Sequence, residues 1–137
     1  MVVLCGCSVK RNNFFSRNYH QLTTRYNVYF NGDQALKSGI KHMENRHKED
    51  YTHLLPVFVS NDEQTRSICS SDMDYVIVKA AKATDKHSIT AKPRRRKNKD
   101  SKNYQTFRKK KEFNNQLDKC YLLLGKAYFY KKKYTMA

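Results

Sequence analysis

Apolar residues recur at helical spacing in three stretches of this chain, and polar or basic segments separate them. The first stretch covers residues 20–48 and carries apolar side chains at three- and four-residue steps: Leu22, Tyr26, Tyr29, Phe30, Leu36, Ile40 and Met43. This spacing predicts an amphipathic helix. Asn31 and Gly32 interrupt the pattern, and Asp33 could cap a restart, so the stretch is either one bent helix or a hairpin of two.

The second stretch, residues 71–90, is also predicted to be a helix. Ser71 and Asp74 form an N-terminal capping pattern at its start. An apolar stripe at helical spacing follows and is expected to face the core: Met73, Val76, Ile77, Ala80 and Thr84. Before this helix, residues 49–70 are predicted to be a loop. After it, residues 91–102 are predicted to be a basic linker.

The third stretch, residues 103–137, predicts one long amphipathic helix followed by the start of another. Its apolar side chains fit a single helical face: Tyr104, Phe107, Phe113, Leu117, Tyr121, Leu124 and Tyr128. No other kind of regular element is indicated along the chain. We therefore predict an all-α fold made of helical hairpins and flexible basic linkers.

Composition and charge weaken the expectation of one compact domain. The chain has 137 residues, of which 39% are hydrophobic, and its net charge is +16. Chains of this kind lie near the boundary at which burial no longer offsets conformational entropy, so long disordered stretches are expected. No apolar run is long enough to cross a bilayer as a helix. The ten Tyr and seven Phe suit helical surfaces that dock partners.

Positive charge is concentrated between Lys92 and Lys111, where eleven Lys or Arg stand with one acid, Asp100. The densest part forms a candidate basic patch: Arg94, Arg95, Arg96, Lys97, Lys109, Lys110 and Lys111. Such a block is typical of a solvated linker or of a surface that contacts anionic lipid or an acidic partner. A nucleic-acid interface is the alternative, with phosphates on the basic groups and bases stacked on Tyr104 and Phe107. The pattern matches no known nucleic-acid-binding module.

Catalytic and metal-binding patterns do not stand out. The five histidines are scattered, and the sequence shows no Ser/His/Asp or Cys/His grouping and no Gly-rich phosphate loop. The four cysteines, Cys5, Cys7, Cys69 and Cys120, fit no zinc spacing. Cys69 and Cys120 could form a disulfide or remain two unpaired thiols. We expect a protein that is not an enzyme and that needs no cofactor or metal.

The amino end carries a candidate lipid-attachment signal. Leu4-Cys5-Gly6-Cys7 is similar to a bacterial lipobox, in which small residues precede the cysteine that receives diacylglycerol. On this interpretation residues 1–6 are the remnant of a signal peptide whose remainder lies upstream, Cys7 is lipidated, and residues 7–19 form a flexible tether. A chance cluster of small residues is the alternative.

The carboxy end carries a candidate helical repeat. Tyr121, the pair Leu124 and Gly125, and Tyr128 match the first helix of a tetratricopeptide repeat. Tyr134 would open the second helix, and Ala137 would be the small residue that fits between the two. In such a repeat Gly125 permits close helix approach and the aromatics fill the seam. Residues 103–137 are thus predicted to be helix A and the start of helix B of a truncated repeat.

Taken in order, four segments resemble the amino-terminal part of a known family: the lipobox LCGC, TTRYNVYFNGDQALKSGIKHMENRHKEDYTHLLPVF, KAAKATDKHSI and LDKCYLLLGKAYFYKKKY. The family is the PorW/SprE tetratricopeptide lipoproteins of the Bacteroidota type IX secretion and gliding machinery. The resemblance implies a fragment of a longer periplasmic scaffold, anchored by lipid to the outer membrane and continuing into a repeat solenoid. It further implies protein partners in the periplasmic ring complex and the outer-membrane translocon. No small-molecule substrate is expected, and nucleic acid stays the alternative partner.

Overall fold

A computed structural model describes residues 9–49, 51–52, 54–55, 57, 63–94 and 101–137. This part of the chain is helical and contains no β-strand, which confirms the predicted all-α class. The elements are α1 (Phe14–Thr23), a π-helical segment (Thr24–Tyr29), α2 (Phe30–Arg46), α3 (Glu63–His87), α4 (Lys102–Lys109) and α5 (Leu117–Tyr130).

The first predicted helix is continuous from α1 through the π-helical segment to α2, and it starts earlier than the apolar pattern indicated. Asn13 caps it, since its side-chain oxygen accepts a hydrogen bond from the Ser16 amide at 2.7 Å. Residues 14–19 are therefore helix and not tether. The Thr24 hydroxyl donates to the carbonyl of His20 at 2.7 Å, and this bond competes with the regular backbone ladder where the π-helical segment begins. The helix continues through Gly32, so the hairpin alternative is wrong.

Helix α3 begins at Glu63, so the prediction of a loop up to residue 70 and of a cap at Ser71 is wrong. Ser71 is exposed in the middle of the helix. Asp74, the other expected capping residue, forms an ion pair with Lys131 after α5. The predicted apolar stripe is confirmed at Met73, Val76 and Ala80, each of which is buried.

The predicted long third helix is broken between α4 and α5. Phe113 donates its backbone N–H to the carbonyl of Ile89 at 3.0 Å, and its ring is buried, so the chain leaves helical geometry to make a tertiary contact. Helix α5 ends in a Schellman motif in which Lys132 adopts φ 55°. The chain then forms a turn over residues 134–136, where the start of helix B was expected.

The core lies where α2, α3 and α5 pack together and extends beneath the π-helical segment. Its larger cluster has members from all three helices: Leu36, Met43, Cys69, Met73, Val76, Leu123 and Ala127. A second cluster joins the π-helical segment to α3 and α5: Val28, Ala83, Leu117 and Cys120. Burial of these side chains is the main force that holds the helices together.

Two glycines in α2 allow the helices to approach closely. A Cβ placed on Gly39 would lie 2.7 Å from Cε of Met73 and 2.9 Å from Cβ of Asp72. A Cβ placed on Gly32 would lie 2.7 Å from Cδ2 of Leu123. Gly39 is the stricter case, because Asp72 Cβ is fixed to the α3 backbone and cannot rotate away. By contrast, a Cβ on Gly125 would meet only the Ala137 backbone, at 3.6 Å.

We predict that Gly39→Ala destabilises the chain by about 1–3 kcal/mol, because the added methyl forces α2 away from α3. Gly125→Ala is the matched control: it makes an ordinary contact and gains helix propensity, so it should be neutral or stabilising by up to ~1 kcal/mol. Urea unfolding followed by circular dichroism measures both changes. Equal effects of the two substitutions would contradict the assigned helix contact.

Candidate functional site

A buried polar junction joins three segments that are far apart in the chain; we define it as His20, Thr24, His87, Glu112 and Asn114. Its hub is Asn114, whose exposed fraction is 1%. The Asn114 amide donates to the Thr24 hydroxyl at 2.9 Å and to the His87 carbonyl at 3.0 Å. The π-helical segment, the end of α3 and the approach to α5 are therefore fixed to one another. Leaving such buried groups unpaired costs about 1–3 kcal/mol each.

Within the polar junction, Glu112 contacts both the segment that follows α3 and the segment that precedes α5. Its carboxylate accepts hydrogen bonds from the Ser88 hydroxyl at 2.6 Å and from the Ile89 amide at 2.8 Å. It also accepts from the amides of Phe113 and Asn114, at 2.9 and 2.8 Å. Ionised acceptors form stronger hydrogen bonds than neutral ones. Glu112 thus fixes the segment after α3 against the segment before α5.

The structure brings together two histidines that the sequence leaves unrelated. The Nδ1 atoms of His20 and His87 lie 2.9 Å apart, so one ring donates and the other accepts. Burial lowers the pKa of His87 below its ordinary value, and electrostatic interactions with His20, Lys82 and Lys86 lower it further. A neutral His87 fits a shared hydrogen bond in which one nitrogen must accept.

Beside the polar junction lies a basic cleft with a volume of about 1,020 Å³. It lies where the start of α1 meets the segment after α3 and the helix α4. Its lining is Lys10, Arg11, Asn12, Asn13, Arg17, Lys92, Pro93, Arg94, Ser101, Asn103, Tyr104 and Phe107. Five of these side chains are cationic, and none of the lining residues is acidic. The cleft is thus suited to an anionic ligand.

Direct contacts hold the walls of the basic cleft in place. Asn12 donates to the Ala91 carbonyl at 2.6 Å and accepts a hydrogen bond from the Arg17 guanidinium at 2.6 Å. The Lys92 ammonium donates to two backbone carbonyls at the end of α4, each at 3.2 Å. The Arg17 guanidinium lies over the Phe107 ring, 5.2 Å from its centroid. Phe107 also contacts the Phe113 ring edge-on, at 5.1 Å between centroids.

The predicted basic patch is divided by the fold. Arg94 lines the basic cleft, whereas Lys109, Lys110 and Lys111 are exposed and lie outside its lining. Arg95, Arg96 and Lys97 lie outside the described residues, as does the predicted lipidation site Cys7. The other cationic residues of the cleft include Lys10 and Arg11, which precede α1, and Arg17, which lies in the first turn of α1. All three belong to the segment that was expected to be a tether.

The predicted repeat positions on α5 do not form its buried face. Helix α5 instead buries Leu117, Cys120, Leu123 and Ala127. Tyr121 is 52% exposed, and Leu124 and Tyr128 are half-buried. The register of the buried face is thus shifted from the expected one, because Leu123 packs against Gly32. Packing of Tyr121, Leu124 and Tyr128 against a further repeat stays a prediction.

The other three repeat positions lie on α5 or in the segment after it: Gly125, Tyr134 and Ala137. The Ala137 backbone lies next to Gly125, and the Tyr134 ring contacts the Phe129 ring edge-on at 5.9 Å between centroids. Tyr134 itself is 58% exposed. Gly125 and Ala137 line one groove of about 580 Å³ between α2 and α5, together with Asp33, Leu36, Lys37, Ile40, Lys126, Phe129 and Tyr130. Gly125 and Ala137 are therefore adjacent, although Ala137 is not helical, and their packing in a repeat stays a prediction.

The two described cysteines, Cys69 and Cys120, are free thiols buried in different core clusters. Burial raises the pKa of Cys69, and it raises the pKa of Cys120 to about 11. Both are therefore protonated near neutral pH and behave as small apolar side chains. Of the two alternatives from the sequence, the structure has the unpaired thiols.

Within the described residues, no helix is both long and apolar enough to span a membrane. The same part of the chain places no three His, Cys, Asp or Glu side chains together as metal ligands. No family model matches the sequence, and the comparison with curated proteins found no match.

The polar junction and most of the basic cleft are the parts that sequence reasoning missed. His20 and His87 are 67 residues apart, and Asn12 and Ala91 are 79 apart. Periodicity reports which side of one helix is apolar and carries no information on such distant polar pairs. Asn13, followed by an aromatic pair, is a helix N-cap signal that could have predicted the start of α1 from the sequence. Arg17 would then have been assigned to a helix.

We predict that the chain loses stability as the pH falls from about 8 to about 5. The pKa of His87 is lowered in the folded state from 6.5, so the unfolded chain binds the proton first. The stability that neutral His87 provides is fully present above the unfolded pKa and is lost as the pH falls through the folded pKa. His87→Asn, which keeps a polar atom near the Nδ1 position, should flatten this dependence.

Thermal unfolding at a series of pH values measures the effect. His47→Asn is the control, since His47 lies outside the polar junction. An identical pH profile for the parent chain and His87→Asn would show that His87 does not carry the acid sensitivity.

Proposed function

We propose that this chain belongs to a non-enzymatic scaffold of the type IX secretion and gliding machinery. On this proposal Cys7 carries a lipid that anchors the protein to the outer membrane, on its periplasmic side. Helix α5 is the first helix of a tetratricopeptide repeat and serves, with the helices that follow it, to bind protein components of the ring complex and the translocon. The support is the resemblance of the four segments together with the all-α fold of the described residues.

The observation that carries the proposal is the outward apolar face of α5. Leu122 is 63% exposed, Tyr121 is 52% exposed and Phe129 is 46% exposed. Tyr121 and Leu122 lie outside the α5 face that contacts α2 and α3 through Leu123 and Ala127, and Phe129 lines the open groove between α2 and α5. The exposed side of α5 also carries the charged residues Asp118, Lys119 and Lys126. A helix that exposes large apolar side chains beside charged ones is suited to lie under a further layer of helices, as a helix of a stacked repeat does.

The end of α5 supports the same function. After Tyr130 the chain reverses through the Schellman motif, with Lys133 N–H bonded to the Tyr128 carbonyl at 2.9 Å and Lys132 N–H to the Phe129 carbonyl at 2.9 Å. A reversal at this point directs the following residues back along α5. That direction is the one a helical hairpin requires, and it places Ala137 beside Gly125.

The competing function, nucleic-acid binding through residues 92–111, has weaker support. One face of the Phe107 ring, which was expected to stack on bases, is covered by the Arg17 guanidinium, and the ring also makes a T-shaped contact with Phe113. The Tyr104 hydroxyl donates to the Arg94 carbonyl at 2.9 Å, which holds that ring against the cleft wall. Stacking platforms for single-stranded nucleic acid need open aromatic faces.

The test places a charge on the outward face of α5. Leu122→Lys, introduced into the whole protein in a Bacteroidota strain with this machinery, should reduce co-purification of ring-complex and translocon components on the order of 10-fold or more, because a charge in a buried helix contact costs about 2 kcal/mol. Quantitative mass spectrometry of the purified complexes measures the loss. Because Leu122 is exposed in the isolated chain, Leu122→Lys should leave the unfolding temperature of the protein unchanged.

Val78→Lys on α3 is the matched control, because Val78 is 65% exposed. It should leave the recovery of the same components unchanged. Equal recovery with Leu122→Lys and Val78→Lys, or recovery of no secretion component with the parent protein, would refute the proposed function.

A further inference from the structure

The basic cleft concentrates positive charge in a concave site. Lys10, Arg11 and Arg17 line it from the amino end, and Lys92 and Arg94 line it from the segment after α3. Asp100, which precedes the lining residue Ser101, lies outside the described residues. Among the described acidic residues, the one nearest in sequence to the cleft walls is Glu112, whose carboxylate accepts four hydrogen bonds in the polar junction. The positive potential of the cleft is therefore not offset by its own lining, and an anion that enters would supply the missing charge.

Arg17 is already positioned for an anion before any ligand enters. Asn12 accepts from one guanidinium nitrogen, and the Phe107 ring supports the guanidinium plane. A guanidinium has five N–H donors in a planar fork, and this fork matches the oxygens of a phosphate. Because the side chain is held in advance, little rotamer entropy is lost when it binds.

Two adjacent aromatics stand beside the cleft and point to water. Phe14 is 65% exposed and Phe15 is 78% exposed, and they directly follow Asn13, which lines the cleft. Neither ring lines the cleft, so neither can stack on a ligand held inside it. Exposed aromatics next to basic side chains are typical of surfaces that lie in a membrane interface, where the rings insert between headgroups.

The chain also ties this surface to the predicted lipid. Lys10 is three residues after Cys7, and three extended residues span about 10 Å. A lipid on Cys7 would therefore hold the cleft at the headgroup layer. We infer that the basic cleft, with Phe14 and Phe15, is a docking face for the phosphate headgroups of anionic phospholipids. This inference rests on the proposed function for the anchoring at Cys7, and it assigns the lipid surface as a second partner that orients the helices.

The test uses the 137-residue chain with Cys5→Ser and Cys7→Ser, so that no lipid is attached. Co-sedimentation with phosphatidylcholine vesicles that contain about 30% phosphatidylglycerol measures binding, and pure phosphatidylcholine is the reference. Removing three cleft charges with Arg11→Gln, Arg17→Gln and Arg94→Gln should weaken binding on the order of 100-fold at low salt. Phe14→Ser with Phe15→Ser should weaken it about 10-fold and reduce the part that persists in high salt.

A chain with net charge +16 can bind anionic vesicles diffusely, so the control must remove the same charge elsewhere. Lys41→Gln, Lys48→Gln and Lys126→Gln do so at exposed positions outside the cleft and should weaken binding less than 5-fold. Because Arg17 also packs on Phe107, the pair Arg11→Gln and Arg94→Gln is a second cleft variant that leaves that contact intact. Equal losses for the cleft variants and the lysine control would overturn the inference.

A competition experiment tests whether the cleft binds nucleic acid instead. A single-stranded oligonucleotide is added to the vesicles at a phosphate concentration equal to that of the headgroups. If it displaces the chain from vesicles and its binding depends on the same arginines, the cleft is a nucleic-acid site and the lipid inference fails. Mass spectrometry of the mature amino end in cells tests the lipid on Cys7 separately. Vesicle binding that fails while Cys7 is lipidated overturns the docking face and leaves the scaffold proposal in place.

Discussion

The fold depends on a hydrogen-bond hub at Asn114, a fully buried side chain that must find partners. It finds them in Thr24, 90 residues earlier, and in the carbonyl of His87. Apolar packing among α2, α3 and α5 supplies most of the driving force, but apolar contact tolerates small shifts of one helix along another. Buried polar groups tolerate far less, because each lost partner leaves an unsatisfied group. The polar junction therefore sets the register in which the clusters pack.

Both candidate surfaces follow from this register. The connecting segments that leave the polar junction run to Lys92 and Arg94 on one side and come from α4 on the other, so they form the walls of the basic cleft. Helix α5 starts three residues after Asn114, and its buried face is consequently the one that carries Leu117 and Leu123. Of the repeat positions on this helix, Tyr121 is left exposed and Leu124 and Tyr128 are left half-buried, so a further layer of helices could cover them.

The sequence was informative about single helices and uninformative about how they meet. The apolar stripe through Met73, Val76 and Ala80 and the all-α class follow from periodicity, because burial of one helical face imposes it. The break before α5 could not be predicted, since Phe113 leaves the helix to bond Ile89, a contact between distant segments. In the cleft, Arg94 was predicted from charge density, whereas Arg17 was not, because its role depends on Phe107 across the chain.

A double-mutant cycle between Thr24→Ala and Asn114→Ala tests the central claim, that a hydrogen bond across 90 residues fixes the helices in register. Each single substitution should lower the free energy of unfolding, by about 1–3 kcal/mol. If the two side chains act through one another, the double variant should lose about 1 kcal/mol less than the sum of the single losses. Additive losses, within about 0.3 kcal/mol, would contradict the account, because they would mean that Thr24 and Asn114 stabilise the fold independently.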